Sequence, residues 1–143
     1  MKAPACLLDV NTLIALIDSE HVHHAAVMRW LAAHRGEWGG CAISEAGALR
    51  VLTNPAAGQY GVADVSGAID GLQGLPRFRY WESIPSWRQI PETIRGKVSG
   101  HQQITDCFLL GAAVLADGSL VTLDKAMRHM AGARFARHLL VLE

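Results

Sequence analysis

The segment LLDVNTLIAL, residues 7–16, decides how the fold begins, because it joins an apolar stretch to a helical pattern through one carboxylate. Residues 5–8 are continuously apolar, which is typical of a buried strand in a parallel sheet. Asn11 or Thr12 is then expected to cap a helix through LIALID. Asp9 stands between the two elements, and burying a carboxylate costs free energy unless a partner satisfies it. The segment therefore predicts a strand and a helix with a carboxylate in need of a partner between them.

The rest of the chain alternates helical and apolar segments, as an α/β protein does. We expect helices over residues 21–34, from an N-cap at Ser44 to Leu52, over 63–72, and from an N-cap at Thr105 through 116. We expect strands over residues 41–43, 78–83, 119–122 and 138–143, and a loop with a short helix over 83–103. Strands separated by helices of this length form right-handed crossovers, so the pattern predicts a mainly parallel sheet covered on both faces.

The composition is that of a folded domain with no overall charge. The chain has 143 residues, half of them hydrophobic, and 13 basic against 13 acidic residues, so its net charge is zero with neutral histidines. This length suits one core, and we expect a single domain over residues 1–143. Cys6, Cys41 and Cys107 are far apart in apolar surroundings, which favours reduced core thiols. No apolar stretch approaches the roughly 18 residues of a membrane span, and we expect a cytoplasmic protein.

Four acidic residues stand where predicted strands end or predicted helices begin. Asp9 follows the first strand, Glu45 and Asp106 lie in the first turns of helices, and Asp124 follows the strand at 119–122. Ligands of open parallel sheets bind at this carboxyl edge. Either Glu45 or Asp106 alone is explained by helix capping, because carboxylates stabilise helix N-termini. Four acids at one edge favour a shared site.

If the four carboxylates converge, their repulsion must be offset. Two such charges 4 Å apart repel by about 4 kcal/mol at an effective dielectric of about 20. Protonation is one answer and a divalent cation is the other. Carboxylate oxygens suit Mg²⁺ or Mn²⁺, which stabilise the charge that develops on a phosphodiester under attack. Because no Lys or Arg adjoins Asp9 in the sequence, we favour the metal.

Three other groups of residues leave alternatives open. The segment RHMAGARFARH, residues 128–138, contains no acid, and is either a solvated basic face or a rim that contacts phosphates through Arg128, Arg134 and Arg137. His21, His23 and His24 lack the partner spacing of a zinc site and are expected to begin a helix. The four tryptophans are expected to pack in the core and loops rather than to stack on bases.

Three blocks of the sequence resemble one known family. LLDVNTLIAL near the N-terminus, ISEAGALRVLTNP at residues 43–55 and ITDCFLLGAAVLADGSLVTLD at residues 104–124 resemble the PIN-domain ribonucleases, most closely the VapC-type toxins of bacterial toxin–antitoxin modules. The resemblance covers nearly the whole chain, with poor agreement over residues 53–103, where it assigns no functional residue. It implies a three-layer α/β/α sandwich, usually dimeric, that cleaves RNA with Mg²⁺ or Mn²⁺ and is silenced by a small antitoxin.

The resemblance also assigns roles to individual residues. It implies that Asp9, Glu45, Asp106 and Asp124 form the catalytic, metal-binding acidic set. Asn11, Thr105 and Thr122 match polar positions beside these acids. Arg50 matches an arginine common in the helix after the glutamate, where it could hold the RNA backbone.

Two other functions remain open at the level of sequence. A phosphatase of the haloacid dehalogenase type also places an aspartate after its first strand, but its chemistry wants a second aspartate where Asn11 stands. A non-catalytic PIN-like module that binds RNA or protein is the other alternative, and the intact acidic set argues against it.

Overall fold

A computed structural model describes residues 3–56, 58 and 60–143. The strands are β1 (Cys6–Leu8), β2 (Trp38–Gly39), β3 (Ser119–Thr122) and β4 (Leu139–Val141). The helices are α1 (Val10–Ile17), α2 (His24–Ala33), α3 (Ala42–Leu52), α4 (Val62–Leu72), α5 (Glu92–Arg95), α6 (Ile104–Leu115) and α7 (Met127–Ala131). Short 3₁₀ turns lie at Trp87–Gln89, His101–Gln103 and Ala136–His138.

The four strands form one parallel sheet in the order β2-β1-β3-β4. One buried cluster joins the sheet to α1, α2, α3 and α4, and a second joins it to α5, α6 and α7. Leu7 and Leu8 are both fully buried but belong to different clusters, because successive side chains of a strand point to opposite faces. The expected three-layer α/β/α sandwich on a parallel sheet is confirmed.

The β2 edge of the sheet is extended by a loop rather than by the strand expected at residues 78–83. Two isolated parallel bridges, Trp38 to Phe78 and Cys41 to Trp81, hold this segment beside β2. The N–H groups of Arg79 and Trp81 donate to the carbonyls of Trp38 and Gly40, both at 2.9 Å. Gly39 is required here, because a Cβ would collide with the Arg79 carbonyl. The strand prediction was wrong because the two bridges, three residues apart, do not join into a continuous ladder.

The predicted start of α1 was also wrong. Asp9 itself caps α1, and its carboxylate accepts a hydrogen bond of 2.8 Å from the Thr12 N–H, so neither Asn11 nor Thr12 is the N-cap. An aspartate in extended conformation directly before a helix is a favoured cap, and this one was overlooked because it was read as the end of the strand.

Two further helix starts lie one or more residues earlier than predicted. The second strand occupies residues 38–39 instead of 41–43, and α3 begins at Ala42 after Cys41. Ser44 lies inside the first turn, where its hydroxyl accepts a 2.9 Å hydrogen bond from the Cys41 N–H. Likewise Thr105 lies inside the first turn of α6, whose N-cap is Gln103. Helices that follow a 3₁₀ turn, as α6 does, blur the capping signal in the sequence.

The remaining predictions of local structure agree with the structure. The helices over residues 21–34 and 63–72 correspond to α2 and α4, and the last two strands correspond to β3 and β4. Cys6, Cys41 and Cys107 are free and buried, as expected. Within the described residues, no helix is both long and apolar enough to span a lipid bilayer.

Candidate active site

Asp9 lies at the carboxyl end of β1, where it is almost completely buried with 3% of its surface exposed. Its N–H donates to the Val121 carbonyl at 3.1 Å, which fixes it against the neighbouring strand β3. Burial raises the pKa of its carboxyl group, hydrogen bonds from Thr122 and Thr12 oppose that rise, and the charge of Asp124 adds to it. Burial therefore destabilises the ionised form of Asp9, and either a proton or a nearby cation would offset this destabilisation.

Thr122 joins Asp9 to Asp124. This last residue of β3 is fully buried, and its hydroxyl oxygen accepts a 3.0 Å hydrogen bond from the Asp124 N–H. The same side chain lies close enough to the Asp9 carboxylate to lower its pKa. Asp124 is exposed, and its carboxylate also accepts a 2.9 Å hydrogen bond from the Ala126 N–H, which closes the turn into α7. One threonine therefore sets the position of both aspartates at the ends of adjacent strands.

Asp106 enters the same region from the first turn of α6. Burial raises the pKa of its carboxyl group to about 6, and the charges of Asp9 and Asp124 add to the rise. Within the described residues, no ion pair involves Asp9, Asp106 or Asp124. We call these three residues the aspartate cluster. Asp9 and Asp124 act on the ionisation of Asp106, and Asp124 acts on that of Asp9, without a cation from the described residues to offset the repulsion.

Glu45 lies at the carboxyl end of β2, in the first turn of α3. Its Cγ atom packs 3.8 Å from the Cβ position that Gly40 leaves empty. Burial raises the pKa of Glu45, and the charge of Asp70 in α4 adds to the rise. The structure thus places Glu45 at the same edge of the sheet as the aspartate cluster, with Asp70 as the acid that acts on its ionisation.

A close contact joins α3, which carries Glu45, to α1, which follows Asp9. A Cβ at Gly47 would lie 2.6 Å and 2.8 Å from the two γ-methyl groups of Val10. Val10 follows Asp9 directly, and Gly47 follows Glu45 by two residues. The absent side chain at Gly47 therefore lets the two acid-bearing elements approach each other.

The other polar residues predicted at the site are exposed at the element ends. Asn11 is exposed in the first turn of α1, and Thr105 is exposed in the first turn of α6. Arg50 is exposed in the last turn of α3. Thr12 and Asp70 were missed by the sequence analysis. Thr12 could have been found as the residue three positions after an aspartate N-cap, but no sequence signal marks Asp70.

The predicted basic rim is divided between opposite ends of the molecule. Arg128 pairs with Glu143 at 3.1 Å, beyond the carboxyl end of β4. Arg137 pairs with Asp117 at 2.9 Å, and Asp117 precedes β3, so this pair lies at the amino edge of the sheet. The Arg134 guanidinium lies 5.3 Å from the centre of the Phe135 ring. Arg128 therefore lies beside the edge that carries the aspartate cluster, whereas Arg137 lies at the other edge.

The donor atoms at this edge fit a hard divalent cation. In the part of the chain that the structure describes, no three His, Cys, Asp or Glu side chains are arranged to hold an ion as they stand, and this includes the histidines at 21, 23 and 24. Mg²⁺, however, keeps several of its waters and is usually bound through one or two carboxylates. Asp9 and Asp106, whose pKa values are raised by burial and by neighbouring aspartates, match that mode of binding.

Comparison with known sequences assigns the chain to a family. The PIN domain family matches residues 6–133. Ribonuclease VapC29 of Mycobacterium tuberculosis is 35% identical over 126 residues, which cover 88% of this chain and 90% of that protein. Ribonuclease VapC44 of the same species is 36% identical over 127 residues, which cover 85% of this chain and 87% of that protein. The chain therefore belongs to the PIN-domain family and, within it, to the VapC proteins.

Solved structures agree with the fold. VapC20 of Mycobacterium tuberculosis, described as a Sarcin-Ricin loop cleaving toxin, superposes with a TM-score of 0.57 at 9% identity over 80% of this chain and 85% of that chain. VapBC2 from Rickettsia felis, bound to a DNA fragment from their promoter, superposes with a TM-score of 0.59 at 13% identity over 97% of this chain and 99% of that chain. At these identities the likeness extends to the fold alone.

Proposed function

We propose that the protein is a divalent-metal-dependent endoribonuclease and the toxin component of a toxin–antitoxin module. The observation that carries the proposal is the aspartate cluster, in which burial and neighbouring carboxylates raise the pKa of Asp9 and of Asp106, and no ion pair within the described residues offsets the charge. The names of the curated relatives, ribonuclease VapC29 and ribonuclease VapC44, support RNA as the substrate. We expect a cytoplasmic protein with one domain over residues 1–143.

Asp9, Asp106 and Asp124 would hold the ion, with Glu45 contributing through a water molecule. An ion held by these residues would supply Lewis-acid chemistry for the attack of water on the phosphodiester. Thr122 keeps Asp9 and Asp124 in register, and Asp9 is immobilised by its cap of α1. Glu45 orients the attacking water, and Asn11 and Thr105 line the approach at the helix ends.

RNA would cross the carboxyl edge of the sheet. Arg50 lies five residues beyond Glu45 in α3, about 7.5 Å further along the helix axis, and its side chain is exposed. We propose Arg50 as a contact to the RNA backbone, while contacts from Arg128 and Arg134 remain predictions. Arg137 lies at the opposite edge and has no place in this path.

The protein would act with two protein partners. The VapBC2 structure contains the two components of a module, which supports a small antitoxin as a partner of this chain. A homodimer is the assembly that the family resemblance predicts. Neither partner is needed for the chemistry assigned to Asp9, Glu45, Asp106 and Asp124.

The decisive experiment measures RNA cleavage by three variants. Asp9→Asn and Asp106→Asn remove a negative charge with almost no change in shape, and each should lower cleavage by at least about a hundredfold, since each removes a metal ligand. Asp117→Asn is the matched control, because Asp117 is an exposed aspartate at the amino edge. It should cleave as the wild type does.

The metal requirement is tested with the same protein. EDTA should abolish cleavage by the wild type, and Mg²⁺ or Mn²⁺ should restore it. In a thermal melt, the ion should raise Tm for the wild type and for Asp117→Asn but not for Asp106→Asn. Full activity in excess EDTA, or unchanged cleavage by Asp9→Asn, would refute the proposed function.

A further inference from the structure

The outer edge of β4 offers main-chain groups that are not used by the sheet. β4 is the last strand in the order β2-β1-β3-β4. The Leu142 N–H donates to the Thr122 carbonyl at 2.9 Å, so residues of the same parity, including Leu140, face β3. Val141 therefore directs its N–H and carbonyl away from the sheet. The Leu139 N–H is taken by the Ala136 carbonyl, which leaves the Leu139 carbonyl at the same outer edge.

A groove of about 400 Å³ runs along this edge. Leu139, Leu140 and Val141 all line it, together with Ala131, Ala136 and Arg128. Because successive side chains of a strand point to opposite faces, a cavity that contacts three consecutive residues follows the edge of the strand rather than one face of the sheet. Its lining is apolar apart from the main chain and one arginine.

Two cations lie beside the groove. Arg128 is at its carboxyl end, where its guanidinium is held by Glu143 at 3.1 Å. The Lys97 ammonium lies against Gly132, another residue of the lining, so closely that a Cβ there would collide with it. In the described part of the chain, Lys97 takes part in no ion pair. The groove thus combines an open strand edge, an apolar floor and positive charge.

We propose that the β4 edge binds an extended, acidic segment of a partner protein by strand addition. In this mode the main chain supplies hydrogen bonds, and alternate side chains of the segment enter apolar pockets. A carboxylate of the segment takes the place of Glu143 on Arg128, and a second one reaches Lys97. RNA also carries negative charge, but its phosphates and sugars gain nothing from the leucine and valine lining or from an open N–H and carbonyl edge.

A partner's carboxylate can replace Glu143 on Arg128 at little cost in free energy. Both members of the Arg128–Glu143 pair are more than half exposed, and exposed ion pairs contribute little to stability. β4 has only three residues, so the edge adds few main-chain hydrogen bonds. The apolar contacts and the two cations therefore decide which segments bind.

The test is a selection of random ten-residue peptides displayed on phage against the wild-type protein. Enriched peptides should alternate apolar with other residues and carry Asp or Glu. Chemically synthesised copies of the enriched peptides are then titrated against Val141→Pro, which should bind at least tenfold more weakly. Proline removes the outward N–H of Val141 and no N–H that faces β3, so the ladder to β3 is kept. RNA cleavage by Val141→Pro should equal that of the wild type.

A charge reversal keeps the proposal open to refutation if Val141→Pro fails to fold. Arg128→Glu should change the selected peptides from acidic to basic, whereas Arg137→Glu, the same change at the amino edge, should leave them acidic. Three outcomes overturn the proposal: no enrichment, peptides that bind wild type and Val141→Pro equally, or binding that oligoribonucleotides but not peptides compete for. A change in the mass of the free protein caused by Val141→Pro would instead assign the edge to a second copy of this chain. Each outcome is independent of whether Asp106→Asn abolishes cleavage.

Discussion

Asp9 shows how one residue serves the fold and the candidate site together. Its main chain continues β1 against β3, and its carboxylate caps α1 through the Thr12 N–H. The cap stabilises the ionised form, while burial and Asp124 destabilise it. Replacing the cap with a hydrophobic side chain would remove a hydrogen bond worth about 1 kcal/mol. The cap hydrogen bond explains why a carboxylate is tolerated in this buried position. Burial and the charge of Asp124 explain why a nearby cation would stabilise it further.

The ionisation of Asp106 predicts how stability depends on pH when no metal is present. Its carboxyl pKa is raised from 3.8 to about 6 in the folded protein. A pKa raised by folding contributes stability that is complete below about pH 4 and is lost as the pH rises through about 6. Because the side chain is only partly buried, solvent screening reduces this contribution to about 1–2 kcal/mol.

Urea unfolding in EDTA at several pH values measures this effect. The comparison is between the wild type and Asp106→Asn, which cannot ionise. Above pH 6 the variant should be more stable than the wild type, and the difference should vanish towards pH 4. A difference that stays constant from pH 4 to pH 7 would contradict the assigned pKa shift.

At the scale of elements, the absence of a side chain at Gly47 controls how closely α3 approaches α1. Gly47 allows α3 to approach α1 at Val10, and these helices carry Glu45 and follow Asp9. Gly47→Ala places a methyl group within 2.8 Å of Val10, whose branched side chain has little freedom to move. The variant should lose about 1–2 kcal/mol of unfolding free energy and also lose cleavage, because α3 is pushed away.

Gly67→Ala provides the matched control for this substitution. Gly67 lies in the helix α4, and a Cβ there meets no other atom within 4 Å. Alanine should therefore stabilise the protein by up to about 1 kcal/mol through helix propensity alone and leave cleavage unchanged. Denaturant midpoints and cleavage rates of both variants check the pair. Equal effects of the two substitutions would show that the Gly47 contact does not matter.

The elements predicted best from the sequence are those whose own residues carry a clear helical or strand pattern. The periodicity of residues 63–72 and the short SLVT segment at residues 119–122, which follows a glycine turn, needed no tertiary information. The segment at residues 78–83 was predicted as a strand because Phe78, Tyr80 and Trp81 favour strands. Whether it forms a ladder or two bridges depends on the path of a loop past Gly39, which no local pattern contains.

The candidate site was also predictable only in part from the sequence. Asp9 and Asp124 could be found because each follows a strand, and parallel strands bring their carboxyl ends together. The shared hydroxyl of Thr122 follows from the same register. Asp70 could not be found, because it comes to Glu45 through the packing of α4 on α3, and its place in the sequence carries no mark of that contact.

At the scale of the whole molecule, the two edges of the sheet differ in charge arrangement. The carboxyl edge carries the aspartate cluster, whereas the amino edge carries the exposed Arg137–Asp117 pair. Because the net charge of the chain is zero, the proposed binding of RNA would have to come from local cations. Which arginines contribute depends on the edge at which each one lies.

This arrangement predicts opposite results for two arginine variants, measured in an Asp106→Asn background that binds RNA without cutting it. Arg50→Gln should weaken RNA binding and reduce the slope of log K against log salt by about 1, since one phosphate contact is lost. Arg137→Gln should leave both the affinity and the slope unchanged. A larger effect from Arg137→Gln would place the RNA path across the other edge.

The three buried thiols can serve as natural probes of local opening in the core. Cys6 belongs to the packing on the α1 face, whereas Cys41 and Cys107 belong to the α6 face. Burial raises the pKa of Cys6 to about 11, so its sulfur is inert to alkylation until that half of the interior opens to water. Alkylation followed by mass spectrometry would thus time the opening of each half separately, without the introduction of a foreign label.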